Sequence, residues 1–342
     1  MEEKNVIELL ILDTLVFFCV YSIFTLSLNF KQGYAGITNL GLYFPIIIGA
    51  LIAAYVPGRL AMKIYDLDPG LDFVHQNSEV LKQLRAQLEN DPLISILLLV
   101  ITIVIAMAVC AFLGYLCTYP ALKLPATYLA VFFLCLAESA RVIGMQTRSI
   151  AGGVMGVNTI NPFWWLGRGL NAYFGSIIFI IGMTIIVFIL YHQMSISPLG
   201  RLLKAIRENE LTAQSVGKDL PTIKKKVMSF TFSILAFGGV IHAFHMGAVV
   251  AGGYTRVDFS FWPWLMMIVG GTGNNLGVFS GTFFLVIMRR VMIIYKHYFT
   301  FLPFNVLWLE PILLAIMLTL AMIFRPAGII PEQPSRIKTK PA

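Results

Sequence analysis

Long apolar runs, separated by short polar stretches, set the pattern of this chain. Continuous runs of about 20 apolar residues are long enough to cross ~30 Å of hydrocarbon as α-helices. Because the runs are continuous and do not alternate with polar residues, a transmembrane β-barrel is excluded. The runs predict helical spans at residues 6–30, 42–56, 93–116, 126–143, 171–194, 227–250, 278–294 and 304–324. We therefore predict an all-α, polytopic helical membrane protein.

Two breaks rich in glycine and asparagine interrupt the apolar pattern. The first, residues 33–41 (GYAGITNLG), precedes the second span, and the second, residues 270–277 (GGTGNNLG), divides an uncharged stretch. Irregular backbone at membrane depth is tolerated only where protein or a cavity satisfies its polar groups. Residues 262–270 are therefore expected to form a short or re-entrant helix, which brings the total to about nine crossings.

The two breaks also resemble each other in sequence. Residues 39–44 (NLGLYF) are similar to residues 275–279 (NLGVF), and each set opens a new span. Paired broken segments in the two halves of a transporter indicate a substrate pathway near the membrane midplane. Both interpretations, a pathway and a chance match of a short motif, stay open from the sequence.

Two polar segments connect the spans. The longer, residues 57–92, contains an amphipathic pattern that predicts a helix lying on the membrane surface or packed on neighbouring loops. The other, residues 197–226, contains one predicted polar helix at 197–220. Ser197 suits its N-cap, Pro198 its first position, and Gly217 the left-handed residue that ends a helix. A capped, mixed-charge helix kept in water between two spans is expected to bind a partner.

Composition agrees with a membrane protein and excludes soluble classes. The 342 residues are 58% hydrophobic and 12% charged, with a mean hydropathy of +0.81, whereas soluble domains carry roughly 25% charged residues. The net charge of +8 lies in short loops, as the positive-inside rule expects, so no nucleic-acid partner is needed. The four cysteines lie in apolar runs without CxxC spacing and are interpreted as buried small hydrophobic residues.

Basic loops predict the orientation. The lysines and arginines of residues 197–226 and of the tail at 325–342 place both segments in the cytoplasm. Counting crossings back from them places the N-terminus and the insert at 57–92 on the outer side of the membrane. Arg289 and Arg290 fit this topology less well, because they fall toward the outer side.

Few residues suggest catalytic or metal chemistry. His242 and His245 are three apart, but no nearby Cys, Asp or Glu completes a metal site, so hydrogen bonding inside the bundle is favoured. Glu138 and Arg141 are spaced for an ion pair and either line a pathway or form a structural pair near a helix end. The chain has no nucleotide-binding signature such as GxxxxGKS, so energy must come from another chain. We expect neither an enzyme nor a cofactor.

Several segments, in order along the chain, carry a resemblance to a known family. They are GYAG and NLG at 33–36 and 39–41, KLPATYLA and ESAR at 123–130 and 138–141, AGGVMGV at 151–157, SPLGR and AIRENE at 197–201 and 205–210, GGTG at 270–273, and FRPAG at 324–328. Through them the chain resembles the membrane-spanning permease subunits of ABC importers for branched-chain amino acids. It departs from the family's pattern at Leu42, where histidine is usual, in the longer insert, and at residues 152–158, which lack the usual proline or aspartate.

The resemblance implies a transporter of several chains in the cell membrane, in which residues 1–342 form one transmembrane permease domain. The expected partners are a second, non-identical permease subunit, two cytoplasmic ATPase subunits, an extracytoplasmic substrate-binding protein and the lipid bilayer. The resemblance assigns ATPase coupling to the polar helix, at Arg201, Lys204, Ala205, Arg207, Glu208, Glu210 and Gly217. The candidates for the translocation pathway are Gly36, Asn39, Gly41, Glu138, Gly271, Gly273, Asn274 and Asn275.

Two alternatives differ in cargo or in class. In the first, the same type of permease carries urea, short amides or another amino acid. In the second, the chain is an ion-coupled secondary transporter, which needs functional ionisable groups inside the membrane. Asp13, Glu138 and Glu310 are few for that role and fall near the ends of the predicted spans.

Overall fold

Residues 2–67, 70–167, 169–295 and 308–332 are described by a computed structural model of the chain. The helices are α1 (Glu2–Leu28), α2 (Tyr43–Ile64), α3 (Asn77–Leu88), α4 (Pro92–Lys123), α5 (Ala126–Gln146), α6 (Arg148–Ala151), α7 (Leu170–Ile196), α8 (Pro198–Glu208), α9 (Glu210–Ser215), α10 (Leu220–Met246), α11 (Trp262–Gly270), α12 (Asn275–Tyr295) and α13 (Leu309–Phe324). Two short strands, β1 (Val157–Asn158) and β2 (Ala248–Val249), pair antiparallel. The start of the last predicted span and the tail beyond residue 332 lie outside the described ranges.

The helices confirm a polytopic helical membrane protein. Within the described ranges, seven helices are long and apolar enough to cross a membrane: α1 with its π-helical continuation to Tyr34, α2, α4, α5, α7, α10 and α12. Two shorter apolar helices complete the set, residues 257–270, where a π-helical turn leads into α11, and α13. The short helix expected at 262–270 is confirmed as α11.

Helix α10 forms the centre of the bundle and is the most buried of the long apolar helices. Glycines let α2 and α4 approach it closely. A β-carbon on Gly49 would lie 2.2 Å from the Ala236 carbonyl oxygen, and one on Gly239 would lie 2.1 Å from the Ile46 carbonyl oxygen. Lipid tails are as apolar as the helices, so the hydrophobic effect does not drive membrane helices together. Small residues at the helix contacts instead let the backbones pack tightly against each other.

Two helices run past prolines that were predicted to begin the polar connections after them. Helix α2 continues through Pro57 to Ile64, and α4 continues through Pro120 to Lys123, so the insert and the turn at 120–125 are shorter than predicted. Proline is tolerated inside membrane helices where neighbouring groups satisfy the freed backbone. At the end of α2 the Phe73 ring covers Gly58, whose β-carbon would lie 2.2 Å from it.

The insert packs on a neighbouring loop. Its helix α3 buries Val80, Leu84 and Leu88 on one stripe. Asn77 at its start donates to the Asn158 carbonyl oxygen at 3.2 Å and accepts from the Asn158 amide at 3.0 Å. Of the two placements that the sequence allowed, the structure favours packing on loops.

The insert and helix α8 lie at opposite ends of the bundle. Strand β1, which the insert contacts, lies in the loop before α7, and the far end of α7 leads into α8. Helix α7 has 27 residues, which at 1.5 Å per residue separates the two ends by about 40 Å. The end with the insert is called the insert end, and the other the α8 end.

Two arginines of α12 are paired with carboxylates inside the bundle. Arg290 contacts Asp13, and Arg289 contacts Asp258 and donates to Glu310 at 2.7 Å. These contacts offset the cost of placing each charge among apolar helices. They also explain why the two arginines fitted the charge rule poorly, since the rule counts basic residues in loops and these lie inside α12.

The two histidines bind polar neighbours within the bundle, as the sequence favoured. His242 Nδ1 lies 3.3 Å from the Tyr254 hydroxyl, and His245 Nε2 lies 3.5 Å from an Asp13 carboxylate oxygen. One prediction about side chains is wrong: Cys135 is exposed on the outer face of α5, whereas the other three cysteines are buried. A sequence run cannot show which side of an apolar helix faces the bundle.

The close contact at Gly239 yields a test of the helix packing. We expect Gly239→Ala to lower the free energy of unfolding by about 1–3 kcal/mol, because its methyl group overpacks the α2–α10 contact. The measurement is the thermal unfolding midpoint in detergent. Gly182→Ala in α7 is the matched control, since a β-carbon there meets no atom within 4 Å; an equal loss in both variants contradicts the packing argument.

Candidate functional site

The polar segment after α7 forms two helices, so the prediction of one continuous helix is wrong. Helix α8 ends at Glu208 and α9 begins at Glu210. Asn209 between them is extended, with φ −156°, and its side chain accepts a hydrogen bond from the Thr212 amide at 3.1 Å. Asparagine satisfies helix ends better than helix interiors, because its short side chain competes for backbone groups.

The predicted caps at the two ends of the segment are confirmed. Ser197 Oγ accepts from the Leu199 amide at 3.2 Å and caps α8. Gly217, with φ +76°, takes the left-handed conformation after α9. Asp219 then caps α10, and hydrogen bonds from the Thr222 side chain and amide hold the pKa of the Asp219 carboxyl below its usual value. Strong caps fix where the segment leaves and re-enters the bundle.

One face of α8 is exposed. Arg201, Ala205 and Glu208 are all exposed, and their spacing of four and three residues places them on one stripe. Leu211 in α9 and Val216 after it are 76% and 71% exposed. The polar segment thus exposes two large apolar side chains as well as the charged stripe.

The opposite face of the segment packs inward. Leu203 is buried against the bundle, and Ile206 forms a small apolar cluster with Ala213 and Leu220. Glu210 accepts from Lys224 at 2.7 Å and ties α9 to the start of α10. The two short helices therefore form one supported unit.

Two charged residues of α8 form ion pairs with a residue near the end of the described chain. Lys204 Nζ lies 2.7 Å and Arg207 Nη2 lies 2.8 Å from the two carboxylate oxygens of Glu332. Arg207 also donates to the Gly33 carbonyl oxygen. Sequence reasoning missed Glu332, and the one signal for it is that it is the sole acidic residue after Glu310.

The two glycine-rich breaks meet at the α8 end. Asn29 in the π-helical turn of α1 accepts from the Gly273 amide at 2.8 Å and donates to the Asn275 side chain at 2.8 Å. Asn274 donates to the Pro331 carbonyl oxygen at 3.2 Å. Gly36 lies beside Arg207, whose Cγ would be 3.1 Å from a β-carbon there. Most of the predicted pathway residues are thus brought together under α8.

The segment at 35–42 enters the bundle without helical structure. Asn39 is fully buried, its carbonyl oxygen accepts from Trp264 Nε1 at 2.9 Å, and its side-chain amide has no hydrogen-bond partner among the described residues. A β-carbon on Gly41 would lie 1.9 Å from the Phe133 carbonyl oxygen, so only glycine fits against α5 there. Trp264 thus supplies one of the protein contacts that irregular backbone requires inside a membrane bundle.

Glu138 and Arg141 form the expected pair in α5. Arg141 donates to Glu138 Oε1 through Nε at 3.0 Å, and the Tyr43 hydroxyl donates to Glu138 Oε2 at 2.6 Å. Helix α5 ends at Gln146, so Arg141 lies five residues before its end, somewhat farther from it than the predicted span at 126–143 implied. The two side chains are 37% and 25% exposed.

Glu138 is therefore separate from the cluster under α8, although the segment at 35–42 links the two. Tyr43, which contacts Glu138, follows that segment directly at the start of α2. The predicted pathway residues fall into two groups joined by one buried, irregular stretch of chain. Within the described residues, no group of three or more His, Cys, Asp or Glu side chains is placed to hold a metal ion.

Comparison with known proteins identifies the family. The family model described as the branched-chain amino acid transport system permease component matches residues 10–322. A probable branched-chain amino acid transport permease protein LivM of Methanocaldococcus jannaschii is 31% identical over 94% of this chain and 93% of the relative. The high-affinity branched-chain amino acid transport system permease protein LivM of Escherichia coli K12 is 24% identical over 66% of this chain and 56% of the relative.

No solved structure matches the chain. The family model nevertheless covers almost the whole sequence, and the first of these relatives is matched nearly end to end. The chain belongs to the branched-chain amino acid transport permease family and is a transport permease, not an enzyme.

Proposed function

We propose that this chain is the permease subunit of an ABC importer for branched-chain amino acids. A binding protein outside the membrane delivers the substrate, and separate ATPase subunits drive transport. The observation that carries the proposal is the exposed stripe of α8, Arg201, Ala205 and Glu208, presented between two spans of a chain that has no nucleotide-binding signature. This stripe is the surface to which an ATPase subunit docks.

The basic residues of 197–226 support a cytoplasmic position for the α8 end, because positive loops stay on that side of the membrane. The insert and the N-terminus then lie outside. Closure of the ATPase subunits moves α8, and α8 is continuous in chain with α7 before it and, through α9, with α10 after it. Displacement of these helices as rigid bodies alternates access to the pathway.

A second permease subunit covers one side of the bundle. The Glu138–Arg141 pair is partly exposed on the surface of the single chain at membrane depth, where contact with lipid is costly for charged groups. Cys135 and Ser139 are exposed on the same helix. These groups are accommodated if α5 faces a partner across a hydrated pathway, so we place the pathway between the two subunits at this face.

The pair also suits the proposed cargo. An amino acid carries an ammonium and a carboxylate, and Glu138 and Arg141 offer one opposite charge to each. An ion-coupled transporter is less well supported, because the acidic residues considered for that role are each paired with arginine: Asp13 with Arg290, Glu138 with Arg141 and Glu310 with Arg289.

Uptake in vesicles tests the proposed function. The complete transporter is reconstituted with its binding protein, and uptake of labelled leucine and labelled urea is measured with and without ATP. We expect leucine uptake that requires both ATP and the binding protein. Uptake of urea alone contradicts the cargo, and leucine uptake driven by an ion gradient without ATP contradicts the class of transporter.

Glu208→Lys tests the docking surface. We expect this change to abolish uptake and the co-purification of the ATPase subunits, because it reverses the charge of an exposed residue on the stripe. Membrane insertion stays normal, since the Glu208 side chain is exposed. Glu79→Lys on the insert, a surface residue at the other end, is the control. Normal uptake in the Glu208 variant contradicts the docking role.

Glu138→Gln tests the pathway. We expect leucine uptake to fall about tenfold, because the loss of a charge-assisted hydrogen bond costs roughly 1.5–3 kcal/mol and leaves Arg141 unneutralised at membrane depth. The ATPase subunits still co-purify, since the pair is separate from α8. Glu79→Gln removes the same charge outside the pathway and serves as control. Unchanged uptake in the Glu138 variant rules out the pathway role of the pair.

A further inference from the structure

Glu332 lies where four segments of the chain meet. Its carboxylate accepts from Lys204 and Arg207 of α8 at 2.7 and 2.8 Å. Its carboxyl carbon would be 2.7 Å from a β-carbon on Gly273, so the carboxylate rests against the backbone of the second break. The residues just before it are also fixed, because the Ile330 amide donates to the Gly270 carbonyl oxygen at 3.1 Å.

Arg207 extends this contact to the first break. It donates to the Gly33 carbonyl oxygen at the end of the α1 π-helical turn, while holding Glu332 through its other terminal nitrogen. Lys204 Nζ lies 5.2 Å from the centre of the Tyr34 ring in the same turn. A planar guanidinium that binds two acceptors fixes the positions of both acceptors relative to each other, which a single point charge does not.

The two basic residues therefore have a different environment from the exposed stripe of α8. Side-chain exposure is 19% for Lys204 and 26% for Arg207, and their charged groups are occupied within the chain. A displacement of α8 either carries Glu332 and residues 33–36 with it or breaks these charge-assisted hydrogen bonds.

We propose that Glu332 is a positioning residue that transmits the movement of α8 to both glycine-rich breaks. Glu332, Lys204 and Arg207 form a clamp between the ATPase-facing helix and the segments that close the pathway at the α8 end. The clamp does not hold the ATPase itself; the exposed stripe does. This inference rests on the proposed function, because it assigns a task within an ATP-driven importer.

The test is the ratio of leucine transported to ATP hydrolysed in vesicles that contain the complete importer. For Glu332→Gln we expect this ratio to fall about tenfold, the change that corresponds to losing one charge-assisted hydrogen bond. ATPase subunits still co-purify and ATP is still hydrolysed, which a simple loss of folding or docking does not allow. Glu332→Asp, which keeps the charge on a shorter side chain, gives an intermediate ratio.

Glu79→Gln on the insert is the matched control and keeps the wild-type ratio, because the Glu79 carboxylate pairs with Lys82 at the surface of the insert. A wild-type ratio in Glu332→Gln overturns the clamp. Loss of the ATPase subunits from Glu332→Gln also overturns it, because Glu332 then acts in docking.

A second measurement separates failure of the clamp from failure of the proposed function. If the wild-type importer moves no leucine, the proposed function is wrong, and amide hydrogen exchange of the full chain in detergent still tests the clamp. We expect faster exchange at Ile329 and Ile330, whose amides bond to Val269 and Gly270, in Glu332→Gln but not in Glu79→Gln. Unchanged exchange in both variants overturns the clamp whatever the cargo.

Discussion

The satisfaction of backbone polar groups away from water is the constraint on which this structure depends. Helices satisfy it internally, but the chain is broken near residues 29–42 and 270–277, where glycine and asparagine replace regular helix. Contacts between the two breaks satisfy some of the polar groups that are left without helical partners. Asn29, just before the first break, bonds to Gly273 and Asn275 in the second, so protein groups satisfy part of the irregular backbone.

The same constraint governs the pairing of charged side chains in α5 and α12. Inside the bundle, Arg289 and Arg290 are matched by carboxylates and fix α12 against its neighbours. Glu138 and Arg141 are also matched, but their pair reaches the surface of the single chain. A paired yet partly exposed charge among apolar helices supports the proposal that a second subunit packs against this face of α5.

Helix α8 has two faces with different tasks in the proposed importer. Its exposed stripe is free for a partner, whereas Lys204 and Arg207 turn toward Glu332 and the break at 33–36. In the proposed importer, α8 thus lies between the ATPase subunit and the irregular segments that a movement of α8 would displace. In the proposed importer, a helix of only 11 residues thus has two roles: one stripe binds the ATPase subunit and the other transmits its movement.

Hydrophobic continuity and capping chemistry alone determined the class of fold, the positions of the spans, and the caps at Ser197 and Gly217, because these depend on residues close in sequence. Tertiary structure alone decided which breaks meet, which face of α5 is exposed and that Glu332 binds α8. It also decided that α2 continues through Pro57 and that Asn209 divides the polar segment. Such features depend on which helices lie side by side, and a linear pattern of apolar and polar residues does not contain that information.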